Sequence, residues 1–217
     1  MSRQFEIRRS VALPVPPERV WRAIATPEGQ AAWFMPGDPD AEVDTEADRP
    51  HRLAVRFGTQ AMEYVLETAD GGTTVLRFVH SGILDGDWGD EFDAMTGAGW
   101  DLYLFTLGQY LRHFPDRPAV YAEADAPPAP DAWKRVLAAL GDPAEGDGVR
   151  VLGTAGVVDF RSATHLGVRT AGALVRFHNR ELIGLPVAVG HHDYTPGADP
   201  AALTTTWSAW LATTVRS

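Results

Sequence analysis

One pattern limits this chain more than any other, and it occurs twice. A strand-like run leads into a proline-rich turn, and the turn leads into a helix carrying a tryptophan. The first copy reads PVPPERVWRAI around Trp21 and the second PPAPDAWKRVL around Trp133. Each is followed by strand-like segments and then by a helix with a further tryptophan, Trp100 in the first case and Trp207 in the second. Order repeated at this length predicts a duplicated α+β domain, with the copies meeting near 114–118.

The local signals support that order. Phe5, Ile7, Val11 and Leu13 share one face of a strand that Pro14, Pro16 and Pro17 end. Pro17 suits the first helical position, where a missing N–H costs nothing. Thr26-Pro27-Glu28 starts a second short helix, with a hydroxyl cap and an acid at the positive dipole end. Leu53, Val55 and Phe57 alternate, as do Met62, Tyr64 and Leu66, and then Leu76, Phe78 and His80 after the Asp70-Gly71-Gly72 turn. Successive antiparallel hairpins fit this spacing. From Asp93 to Phe114 the residues Trp100, Tyr103, Leu104, Leu107, Tyr110, Leu111 and Phe114 recur at helical steps, and Pro115 stops the run. Residues 36–50 read as a solvated acidic loop. In the second half, strands are expected around Val149–Leu152, Val157–Phe160, Leu174–Phe177 and Pro186–Val189, before a helix carrying Leu203, Trp207, Trp210 and Leu211.

Composition removes several function classes. Among the 217 residues there is no cysteine, which excludes disulfides, thiolate metal sites and thiol nucleophiles. The formal charge of −10 argues against a nucleic-acid face. No apolar stretch is long enough to span a membrane. The opening MSRQFEIRRS lacks an apolar run, so no signal peptide is expected and the chain reads as cytoplasmic. GxGxxG, GxxxxGK[ST] and GxSxG motifs are absent, and no cofactor is expected. Asp85-Gly86-Asp87-Trp88-Gly89-Asp90 begins like a calcium loop, but Gly89 stands where an oxygen ligand belongs. His191 and Asp193 would share a strand face, yet one pair is too few ligands for a metal site.

The segments FEIRRSVALPVPPERVWRAIATPEGQAAWF, RFVHSGI and GAGWDLYLFTLGQYLRHF resemble the START-like (SRPBCC) superfamily, in the branch of homologues of the activator of the heat-shock-protein ATPase. The resemblance covers 3–114 in sequence and 118–216 only in order of elements. It implies a helix-grip fold, in which a bent antiparallel sheet wraps a long C-terminal helix with an apolar cavity between them. Residues 1–115 would form one such domain, and 118–217 a degenerate or truncated repeat. Members of this superfamily bind hydrophobic small molecules, act as polyketide cyclases, or bind chaperones.

Placed on that fold, the ligand-binding candidates are Trp33, Phe34, Phe57, Tyr64, Phe78, His80, Trp88, Trp100, Tyr103, Leu104 and Leu107. Trp33, Phe34 and Met35 are expected at the mouth. A hydrophobic small molecule is the expected partner. The alternatives are a cyclase or dehydratase using His80 and a tyrosine, or a co-chaperone-like protein using its acidic face. His80 needs an oriented partner for catalysis, a role open to Asp87, Asp90 or Asp93 only if their loop folds over the cavity. Without one it is a buried core histidine, and no catalytic residue is assigned. Arg9 is expected to pack its stem on the apolar face and carry its guanidinium to the rim.

Overall fold

A computed structural model describes residues 2–37, 40, 42–84 and 90–216, with the side chains of 90 and 91 left aside. The chain divides into two compact units, Met1–Arg117 and Pro118–Ser217. Each holds its own antiparallel sheet. Among the described residues no helix is long and apolar enough to cross a membrane.

The first unit runs β1 (Arg3–Leu13), α1 (Pro17–Ala25), α2 (Pro27–Ala31), β2 (Val43–Asp48), β3 (Arg52–Phe57), β4 (Gln60–Ala69), β5 (Thr73–Leu84) and α3 (Asp90–His113). Its strands lie in the order β1-β5-β4-β3-β2. The local causes match the sequence. Pro17 opens α1, and the Thr26 hydroxyl accepts from Gly29 N at 3.0 Å to cap α2. Gly71 and Gly72 turn between β4 and β5 with φ of 71° and 75°, a region that penalises a Cβ. The 24-residue α3 lays Trp100, Leu104, Leu107 and Leu111 against the inner face of the sheet.

The second unit runs β6 (Val120–Asp125), α4 (Ala132–Ala139), β7 (Gly148–Val151), β8 (Thr154–Arg161), β9 (His165–Thr170), β10 (Ala173–His178), β11 (Ala188–Asp193) and α5 (Pro200–Thr214). Its strand order is β6-β11-β10-β9-β8-β7. In both units the first strand pairs with the last, and the others follow as consecutive hairpins to the far edge. Both are helix-grip units. The second is shortened in its helices, with 8 residues in α4 and 15 in α5, while its sheet has one strand more than the first.

Two elements differ from expectation. Residues 43–48 form edge strand β2, where a loop was expected over 36–50. All six residues are exposed, so no apolar alternation marks the strand. Its Glu46 carboxylate is instead tied to the neighbouring strand, accepting from Arg56 at 2.8 Å and from Arg52 at 3.4 Å. Charges of this kind also protect a sheet edge from adding further strands. Strand β9 was likewise unexpected. His165 through Val168 are buried on both faces, which removes the period-two signal.

Packing around β9 depends on one glycine. Asp159 is the extra residue of a bulge in β8, between Val158 and Phe160. Its carboxylate reaches across β9 to Arg176 on β10 in a bidentate pair of 2.9 and 3.2 Å. Gly167 lies beneath, and a Cβ there would sit 2.6 Å from Asp159 Oδ1 and 2.7 Å from an Arg176 nitrogen. The side chains of the pair are 2% and 5% exposed, so each charge depends on the other.

Candidate functional site

Alternation along the strands of the first unit turns Phe5 and Ile7 of β1, Leu53 and Phe57 of β3, Tyr64 and Leu66 of β4, and Leu76, Phe78 and His80 of β5 toward α3. Aromatic rings gather there. Phe34 stacks on Trp100 at 5.4 Å and 8°, Phe78 meets Trp100 at 4.1 Å, and Tyr103 meets Phe34 edge-on at 4.7 Å. Tyr64 packs on Phe78 at 5.0 Å, and Phe57 stacks on His80 at 6.4 Å. Leu104 and Leu107 continue the buried face of α3.

Of the eleven ligand-binding candidates, Trp88 lies outside the described residues. Trp33 is not at the mouth. It is 1% exposed, and its indole donates to Ala23 O at 2.9 Å, so it anchors the end of α2 to α1 and supports Phe34. Met35 is exposed. Asp93 pairs with Arg3 at 3.0 Å and does not serve His80. Asp87 lies outside the described residues, and the Asp90 side chain is among those left aside. Arg9 does carry its guanidinium to the rim, where it meets Asp101 at 3.1 Å; Gly97 leaves it room.

His80 is the polar centre of this interior. It is 6% exposed. Trp100 Nε1, which can only donate, gives its hydrogen to His80 Nδ1 at 3.0 Å. The ring proton must therefore sit on Nε2, which donates to Gln60 Oε1 at 2.8 Å. Desolvation lowers the His80 pKa to about 4, so the ring is neutral. Both nitrogens are engaged, and the Nε2 hydrogen leaves no lone pair for a metal or for accepting a substrate proton. Gln60 was absent from the candidate residues, although it lies two residues before Met62 and so shares the inward face. A second buried polar group facing α3 is Tyr64, 3% exposed, whose hydroxyl reaches Met62 Sδ at 3.8 Å. A thioether is a weak acceptor, and burial pushes the phenol pKa upward.

The second unit repeats the central contact. Trp207 Nε1 donates to His191 Nδ1 at 2.9 Å. The registers match as well. His80 on β5 faces Met62 on β4 and Ile7 on β1, while His191 on β11 faces Val175 on β10 and Ala122 on β6. The Trp207 proton again places the His191 hydrogen on Nε2, which rules out the shared ion considered for His191 and Asp193. Adjacent His192 points to the opposite face, as strand geometry requires, and packs on Tyr121 at 4.8 Å.

Two antiparallel sheets, each closed by a C-terminal helix whose tryptophan holds a histidine of the last strand, place the chain in the α+β helix-grip class. No family model and no curated protein matches it. Solved structures similar to it include DynU16, from the dynemicin biosynthetic locus, at 20% identity and TM-score 0.42 over 97% of this chain and 95% of that one. The Aha1 dimer of Colwellia psychrerythraea is 20% identical with TM-score 0.41, over 49% of this chain and 96% of that one. An AHSA1-like protein of Rhizobium etli is 27% identical with TM-score 0.41, over 50% of this chain and 82% of that one.

Proposed function

We propose that the protein is a cytoplasmic binding protein whose first unit holds a hydrophobic small molecule between its sheet and α3. Phe34, Phe57, Phe78, Trp100, Tyr103, Leu104 and Leu107 supply the apolar surface, and Tyr64 the polar contact. The observation that carries this reading is the Tyr64 hydroxyl. A buried phenol with only a thioether for a partner leaves about 1–3 kcal/mol of hydrogen-bonding capacity unused in a filled core. A ligand carbonyl or ether oxygen would take that proton.

Binding is favoured over catalysis by the state of His80. Its neutral ring is spent on Trp100 and Gln60, and a pKa near 4 is far from that of a general base working near neutrality. A co-chaperone role resting on the acidic face is disfavoured because Asp44 and Glu46 already pair with Arg56. Native mass spectrometry of the purified protein tests the proposal. A co-purifying apolar mass that Tyr64→Phe weakens and Trp100→Ala abolishes supports it. A bare protein mass that stays unchanged when an apolar ligand library is added overturns it.

A further inference from the structure

The two tryptophan–histidine pairs occupy matching positions, but their surroundings differ. In the first unit His80 Nε2 is satisfied by Gln60, which stands opposite Gly82 across β4 and β5. The matching pair across β10 and β11 is Ala173 opposite Asp193. The polar group has moved to the other strand, and it no longer reaches. His191 Nε2 is buried without a hydrogen-bond partner, and Asp193 Oδ2 lies 3.9 Å away. The His191 side chain is 9% exposed. Asp193 cannot swing freely to close the gap, because its other oxygen accepts from Thr195 N at 2.7 Å.

The neighbours have changed in the same direction. The inward residues around His80 are Phe5, Ile7, Gln60 and Met62; the matching residues around His191 are Val120, Ala122, Ala173 and Val175. Every one is smaller. In the first unit Phe5 packs edge-on against His80 at 5.0 Å, a contact that Val120 cannot reproduce. Large side chains and an amide thus seal the first histidine, while small ones surround an unpaired donor beside a carboxylate in the second.

We propose that His191 and Asp193 form a binding site in the second unit for the hydroxyl group of an apolar alcohol or phenol. One oxygen about 2.8 Å from both atoms spans a 3.9 Å gap at roughly a right angle. That oxygen must accept from His191 Nε2–H and donate to Asp193 Oδ2. A hydroxyl does both. A carboxylate has no proton to give and is repelled by Asp193, and an ammonium cannot accept. Trp207 is a positioning residue that fixes the His191 tautomer. Burial lowers the His191 pKa although Asp193 raises it, which keeps the ring in this neutral form. The site is independent of the one proposed between β5 and α3.

The test is calorimetric titration of the full chain with 2-naphthol and with 2-methoxynaphthalene, accompanied by NMR of the two indole protons. The phenol should bind at least about tenfold more tightly than its methyl ether, the effect of one lost hydrogen bond plus an unpaired carboxylate. It should move the Trp207 indole signal and leave Trp100 in place. Asp193→Ala should erase the difference between the two compounds. Ala173→Gln with Asp193→Gly rebuilds the sealed arrangement of the first unit and should abolish binding while the protein stays folded. Equal affinity for the two compounds, no binding up to the solubility limit, or a response at Trp100 alone overturns the proposal.

Discussion

Replacing Trp100 by Phe separates the hydrogen bond from the stacking that surrounds it. A phenyl ring can keep the contacts with Phe34 and Phe78, at 5.4 and 4.1 Å, but it has no proton for His80 Nδ1. Losing that bond leaves a buried acceptor unpaired, which costs about 1–3 kcal/mol. The smaller ring adds about 1 kcal/mol for the space left behind. The expected destabilisation is about 2–4 kcal/mol, read as a lower urea midpoint of the first unit by circular dichroism. Far-ultraviolet detection is preferable because the substitution removes a fluorophore. The tautomer of His80 gives a second, sharper readout. Without the indole donor its proton is no longer confined to Nε2, and ¹⁵N chemical shifts should report a mixture of tautomers. A loss of less than about 0.5 kcal/mol together with an unchanged Nε2–H tautomer would show that Trp100 does not hold the ring.

Further outcomes follow from the same structure. His80 and His178 are neutral when folded, with pKa values lowered to about 4 and about 3 mainly by desolvation, while the unfolded chain takes up these protons near 6.5. Stability is thus fully present above about pH 6.5 and is lost as pH falls toward 4 and then 3; thermal melts between pH 7 and 4 should drop steadily, and His80→Gln should flatten part of that slope. Gly167→Ala pushes a methyl group into the Asp159–Arg176 pair and should destabilise the second unit by about 3–5 kcal/mol, whereas the apolar double replacement Asp159→Leu with Arg176→Met should cost much less, as denaturant titration will show. Arg56→Ala removes exposed pairs on β2 and should change stability by less than about 1 kcal/mol in the same assay.

What could be read from the sequence follows physical rules. Period-two alternation placed Phe78 and His80 inward, and helical spacing put Trp100, Leu104 and Leu107 on one face of α3. The proline turns fixed the start of each unit. Strand β2 escaped because none of its residues is buried and its pairing rests on arginines of the next strand. Strand β9 escaped for the opposite reason, burial on both faces. Gln60 was within reach of the alternation argument, since it shares a face with Met62 and Tyr64; a polar residue at the start of a strand gave no cue that its amide would meet His80. The matching of Trp100 with Trp207 was legible from order alone. That each indole holds a histidine was not, because the bonds join residues 20 and 16 apart through strand register and helix docking together.

The most direct test of binding in the first unit is a titration with a fluorescent apolar probe, 1-anilinonaphthalene-8-sulfonate, followed through the indole proton of Trp100. The account predicts saturable binding at one site that shifts this proton, with weaker affinity in Leu107→Ala and Phe34→Ala variants that remain folded. Probe binding that leaves the Trp100 proton unmoved, or that persists unchanged in both variants, would contradict it.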